Sequence, residues 1–358
     1  MEYATHLYPE YGDEELEQLA CQFLLKAGEL RGMLHPHTLE AMKSRVSHLD
    51  AVAAISLNRN QVFTTGDPGY YLFPSAETLK SLPVEDLFME FQIRSIINDR
   101  MTEEGTSFNP VGTDYMSYLA DTIMGAEELL AGGISRKLAG SGGLGGAENP
   151  SSPEHLASRY AMVTEGNRPL LRKLIADLSL LPRTLNINPF GEYSERMARY
   201  SVAAALKNSG LNARGLFSLN RAIARHQREY SDVLDAWELW PAHSGTNLNY
   251  EGLSTITKFL MEILLEEMQG MIHFFSTDNI TEIIREFVER EVLANQLRPE
   301  AELILTELFV KGIAGRQDLL RITGTSDKTL KIITDQLIDR GDVVGRQQGV
   351  RLEFTWAG

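Results

Sequence analysis

Apolar residues recur three and four positions apart along most of the chain, the spacing that turns one face of an α-helix toward a core. The pattern predicts helices over residues 21–33, 38–56, 114–130, 170–181, 195–208, 219–237, 255–275 and 281–293. Thr38, just after Pro36, reads as the N-cap of the second. In the seventh, Ile256, Phe259, Leu260, Ile263, Leu264 and Met271 share one face. Alternating strand patterns are sparse before residue 290, so the body is expected to be all-α. Residues 131–153, AGGISRKLAGSGGLGGAENPSSP, interrupt the periodicity and read as a loop or loose hairpin. Their GSGGLG fits the spacing of a dinucleotide fingerprint, but no buried strand precedes it and no helix follows at once, so a flexible loop is the preferred reading.

Residues 293–298 read as a linker. Helical patterns follow over 300–310, 315–322 and 327–340, with Gly324 at a turn and Ser326 as a cap. VVGRQQGVRLEFTW then predicts two short strands around a Gln-Gln-Gly turn. Three helices and a hairpin make the winged-helix form of the helix-turn-helix. The expected domains are therefore 1–292 and 298–358. A DNA-reading role would place Ser326, Lys328, Thr329 and Lys331 in the groove, with Arg346 on the wing. Asp327, Asp335, Asp339 and Asp342 share the stretch and leave it near neutral, which favours protein contact over DNA.

Composition narrows the classes further. The 358 residues carry a formal charge of −15, which argues against a protein that coats nucleic acid. No apolar run approaches the ~18–20 residues of a membrane span. The acidic start, MEYATHLYPEYGDEELEQ, resembles no signal or transit peptide, and Cys21 is the single cysteine, so a cytoplasmic protein without disulfides is expected. YGDEELEQ reads as a solvated helix start. His35 and His37 stand two apart, poor helical spacing for metal ligands, and no acidic partner is evident. His226 and His243 read as surface residues.

The most informative segment is LNINPFGEYSERMARYSVAAALKNSGL, residues 185–211, followed by LFSLNRAIARHQREYSDVLDAW, residues 216–237. This pair resembles the Fic (Fic/DOC) family, whose loop reads HPFxxGNGR with a further Arg close behind. Pro189, Phe190, Arg196 and Arg199 match in register, and Glu192 stands where the family has Asp or Glu. RGMLHPHTLEAM (31–42), GTNLNYEGLSTITKFLMEILLEEM (245–268) and the C-terminal unit resemble the subgroup that ends in a winged helix. Residues 131–153 fall where that subgroup carries a β-hairpin flap, and 60–130 match poorly. The resemblance implies an all-α Fic-like bundle with a short flap, a motif loop over 188–196, and transfer of AMP from Mg-ATP to a hydroxyl of a target protein.

Set beside the motif, several positions are changed. The general-base His position is Asn188, and a carboxamide takes up no proton near neutral pH. The Gly-Asn-Gly cradle that would wrap phosphates is Tyr193, Ser194 and Glu195, which adds side chains and a negative charge. Arg196 and Arg199 remain as phosphate-facing residues, and Glu192 as a Mg²⁺ position. In many relatives an inhibitory helix supplies a Glu that pairs with the second Arg. By spacing, that residue falls near Asn58, and 51–61 contain no acid. The leading expectation is a degenerate Fic protein acting as a regulatory or binding module toward a protein partner, with nucleotide binding left open. An active transferase using Glu195 as base, and a winged-helix DNA regulator, are the alternatives. A homodimer is expected on general grounds alone.

Overall fold

The computed structural model describes residues 13–59, 61, 84–105, 108–130, 153–164, 169–188, 191–238, 250–348 and 351–356. The expected flap, apart from Pro153, lies outside these residues, as do Pro189, Phe190 and His243. Among the described residues the chain forms fourteen α-helices and one small sheet.

Helix α1 spans Glu14–Gly32, with the Asp13 carboxylate accepting the Leu16 N–H at 3.2 Å and three glutamates in its first turn. Those acids complement the positive end of the helix dipole. Helix α2 spans Pro36–Asn58 and starts earlier than expected. His35 is its N-cap and Pro36 its first residue, a position where the missing N–H costs nothing. Thr38 is therefore inside the helix. It is fully buried, and its hydroxyl donates to the carbonyls of Leu308 and Phe309, at 3.4 and 2.9 Å. Helix α3 (Val84–Glu104) was not anticipated; α4 (Thr113–Leu130) was. Helix α5 covers Pro153–Thr164, and α6 covers Leu170–Ile187. The helix expected over 170–181 is longer: α6 continues through Pro182 to Ile187, with Asn188 as its C-cap.

A single turn, Gly191–Tyr193, leads into α7, Ser194–Asn208. The predicted long helix over 219–237 breaks at His226 into α8 (Leu219–Arg225) and α9 (Gln227–Glu238). Half-buried His226 lies 3.1 Å from the Glu266 carboxylate rather than standing free on the surface. Helices α10 (Tyr250–Phe274) and α11 (Thr277–Leu293) complete the body. The face predicted for α10 is buried at Ile256, Leu260, Ile263, Leu264 and Met271.

Two apolar clusters organise the described body. The larger runs through α1, α2, α6, α8, α10 and α11, with Phe23, Leu30, Met42, Leu174 and Leu178 near its centre. The smaller joins Ile93 and Ile97 of α3 to Leu119 and Ile123 of α4. Helix α7 lies between them. Ala198, Val202 and Ala205 enter the first cluster, while Met197, Tyr200 and Ala204 enter the second. A helix with apolar neighbours on both sides is buried all round, so its arginines are drawn inside with it.

The C-terminal unit comprises α12 (Ala301–Lys311), β1 (Ala314–Gly315), α13 (Arg316–Thr323), α14 (Asp327–Asp339), β2 (Val343–Gln348) and β3 (Arg351–Trp356). The strands form an antiparallel sheet in the order β1-β3-β2. Ser326 caps α14 as expected, and β1 is an addition to the expected hairpin. The expected linker is a tight connection instead. Gln296 and Leu297 donate their N–H groups to the Glu291 carbonyl, and Leu297 is buried.

The unit is seated on α2. Besides Thr38, the Arg45 guanidinium lies 5.7 Å from the Trp356 ring, and Gly312 packs on His35. A Cβ at Gly312 would stand 2.0 Å from His35 Nδ1, and φ is +73° there, so both space and backbone require glycine. Arg340 donates to Glu291 at 2.9 Å and lies 5.3 Å from the Phe287 ring. The buried apolar residues of body and C-terminal unit form one contiguous cluster.

Candidate functional site

The motif residues surround the junction of α6 and α7. Asn188 ends α6 in the left-handed region, φ 46°, with its N–H on the Thr184 carbonyl at 2.9 Å. Asn tolerates this conformation better than most residues do. It is exposed, as are Gly191 and Glu192. Tyr193 is half-buried against the α3–α4–α7 cluster. Ser194 is buried in the first turn of α7, beside half-buried Glu195. Arg196 and Arg199, three apart and so on neighbouring helix positions, are 6% and 4% exposed.

Both guanidiniums are held from within the chain. Arg196 Nη2 donates to Glu90 Oε1 of α3 at 2.9 Å. Tyr200, one turn along α7, donates its hydroxyl to the other oxygen of Glu90 at 2.6 Å and accepts from Arg196 Nε at 3.4 Å. Glu90 is fully buried. Asn58, the last residue of α2, donates to Glu90 Oε1 at 3.2 Å, and its own carbonyl oxygen accepts from Arg199 Nη2. Arg199 Nη1 donates to Glu195 Oε1 at 2.7 Å. A continuous chain thus runs Glu195–Arg199–Asn58–Glu90–Arg196 and ties α7 to α2 and α3.

The electrostatics follow from burial. Glu90 is a buried carboxylate answered by a guanidinium and two uncharged donors, the arrangement a buried charge needs. Burial, reinforced by Glu90, pushes the Tyr200 phenol up, so it stays a neutral donor. Tyr230 on α9 is pushed up as well, by burial and then by Glu195.

This geometry does not fit a triphosphate. The two cations that the resemblance assigns to phosphates already carry internal partners, and the Glu195 carboxylate occupies the first turn of α7. Among the described residues no three His, Cys, Asp or Glu side chains converge as a metal site. Exposed Glu192 offers a single carboxylate, which suits Mg²⁺ only where phosphates supply most of the other ligands. Glu195, the alternative base, is engaged by Arg199.

Spacing from the Leu-His-Pro segment pointed to Asn58, and its contact with Arg199 is where the resemblance puts the inhibitory carboxylate. Glu90 went unnoticed: it lies in the stretch that matches the family poorly, and no motif surrounds it. Tyr200 carried a signal in its i, i+4 spacing from Arg196. In the C-terminal unit Lys328, Lys331 and Arg346 are exposed. Thr329 is half-buried and spends its N–H and hydroxyl on Ser326. Arg316 pairs with Asp327 at the start of α14, at 2.7 Å. No helix among the described residues is long and apolar enough to cross a membrane.

No protein-family model matches the chain, and no curated protein matches it significantly.

Proposed function

We propose that this chain is a degenerate Fic-type protein that does not transfer AMP efficiently and serves as a regulatory or binding module. The observation that carries this reading is the internal capture of both motif arginines, Arg196 by Glu90 and Arg199 by Glu195 and Asn58. The substitution at Asn188 agrees with it, because removing a positioned base typically lowers a rate ~10²–10⁴-fold. Nucleotide binding, if any, requires the chain of contacts to open. The ion pair of Glu195 with Arg199 weighs against Glu195 as a substitute base, since a base must be free to receive a proton.

The C-terminal unit, with order α12-β1-α13-α14-β2-β3, has the element order of a winged helix. Helix α14 carries Lys328 and Lys331 against Asp327, Asp335 and Asp339. A DNA reader needs a cationic face, so we assign this surface to protein contact.

The test is transfer of labelled AMP from Mg-ATP to proteins of a whole-cell extract. The native chain is expected to label nothing above a no-enzyme control. Asn188→His alone is expected to remain inert, because the arginines stay engaged. Robust labelling by the native chain would overturn the proposal.

A further inference from the structure

A cleft lies away from the motif loop, toward the far end of α7. It encloses about 180 Å³ between α2, α3, α7 and the segment that leads into α8. An apolar cavity of about 150 Å³ is enough for benzene, so this one suits a compact ligand. Lys43, Lys207 and Asn98 are its exposed lining residues; Arg94, Asp50 and Asn220 lie deeper. Along α7, Ser194 and Lys207 are separated by thirteen residues, roughly 20 Å at the helical rise.

The charge of the lining is unusual for this molecule. Lys43, Lys207 and Arg94 face Asp50 in the lining, with Glu40 paired to Lys43 at 3.4 Å on the rim and Lys207 donating to Asn98, so the neighbourhood is still cationic in a chain of −15. Asp50 is neutralised where it stands, by an ion pair with Arg94 and by hydrogen bonds from Ser218 and Asn220. The lysines are close enough to feel each other: burial, and then Lys43, lowers the affinity of Lys207 for its proton. Deeper in, Arg94 spends Nη1 on Asp50, while its Nε and Nη2 and the Asn220 Oδ1 are buried with no hydrogen-bond partner among the described residues. The two open Arg94 donors call for a bound acceptor.

The backbone of the wall is strained as well. Ala213, Arg214 and Gly215 have φ of 44°, 59° and 84°, and two of the three are not glycine. Strain of this kind persists where the surroundings hold it, often at ligand sites. Gly215 leaves room for the Lys43 stem, 3.3 Å from where a Cβ would sit.

We propose that this cleft binds a compact anion bearing a phosphoryl group, held by Lys43 and Lys207 with Arg94 behind them. An anion matches the local cationic excess, and a lysine ammonium is an effective point charge for phosphate. The site is separate from the motif arginines and does not depend on the Fic reading. Tyr200 belongs to both places: it lines the cleft and its hydroxyl holds Glu90.

The experiment is calorimetric titration of the full chain with inorganic phosphate against a chloride buffer of equal ionic strength. The native protein is expected to bind phosphate with a Kd of about 1 mM or tighter. Lys43→Gln and Lys207→Gln, both at exposed positions, are each expected to weaken binding at least about tenfold. Lys311→Gln, an exposed lysine elsewhere, and Arg199→Gln, in the motif site, are expected to leave it unchanged. Absence of binding at about 10 mM phosphate would overturn the proposal. So would native-like affinity in both cleft variants, or loss of binding in Arg199→Gln.

Discussion

Glu90 and Glu195 each hold an arginine of α7, but burial makes the two contacts unequal. The Glu90 side chain is 0% exposed and that of Glu195 44%. Removing one partner of a buried pair leaves an unanswered charge and costs about 3–5 kcal/mol, whereas an exposed pair contributes about 0–1 kcal/mol. Glu90→Gln is therefore expected to lower the unfolding free energy by about 3 kcal/mol, and Glu195→Gln by less, because water reaches Glu195 and buried Arg199 keeps the Asn58 oxygen. Urea denaturation measures both, and equal losses would contradict this account of the network. Arg196, Arg199 and Asn188 were legible in the sequence because a motif fixes their spacing. Glu90 was not, since 106 residues separate it from Arg196 and only the packing of α3 on α7 joins them.

At the scale of elements, the contact of α5 with α6 has a pH dependence of definite sign. Tyr160 of α5 donates to Asp177 of α6 at 2.7 Å, and both are buried. Burial pushes the Asp177 carboxyl up to about 7, against the lowering effect of the Tyr160 hydrogen bond. In the unfolded chain it titrates near ~3.9. Between these values the folded chain keeps a proton that the unfolded chain has lost. This contribution to stability is therefore full below about pH 4, falls by at most ~1.4 kcal/mol per pH unit, and levels off above about pH 7. Asp177→Asn removes that slope. The unfolding free energy of the native chain minus that of the variant should fall from pH 5 to pH 7; a constant difference would contradict it.

Where the periodicity is regular, helix existence was readable, as the burial of α10 shows, but α3 and α5 were not foreseen and helix ends were not readable. Thr38 looked like a cap because caps are small and hydroxylated; its hydroxyl instead reaches two carbonyls at the end of α12. The expected helix over 170–181 runs on through Pro182 to Ile187, although an interior proline both removes a hydrogen bond and crowds the carbonyl four residues back.

At the scale of the molecule, the described C-terminal unit shares one apolar cluster with the body and is anchored through α2. The same helix ends in Asn58, so α2 meets α12 near one end and the arginines of α7 at the other. Helical periodicity and an alternating run announced the helices and hairpin of the unit; its seat did not show, because Gly312, Thr38 and Trp356 carry no local signal of their contacts. The most direct test of a motif site closed from within is calorimetric titration with Mg-ATP of the native chain and of Asn58→Ala/Glu195→Ala, which frees Arg199 and spares the buried Glu90. The account predicts no binding by the native chain at about 1 mM ATP, and at least tenfold tighter binding by the double variant. Micromolar binding by the native chain, or a double variant that binds no better, would contradict it.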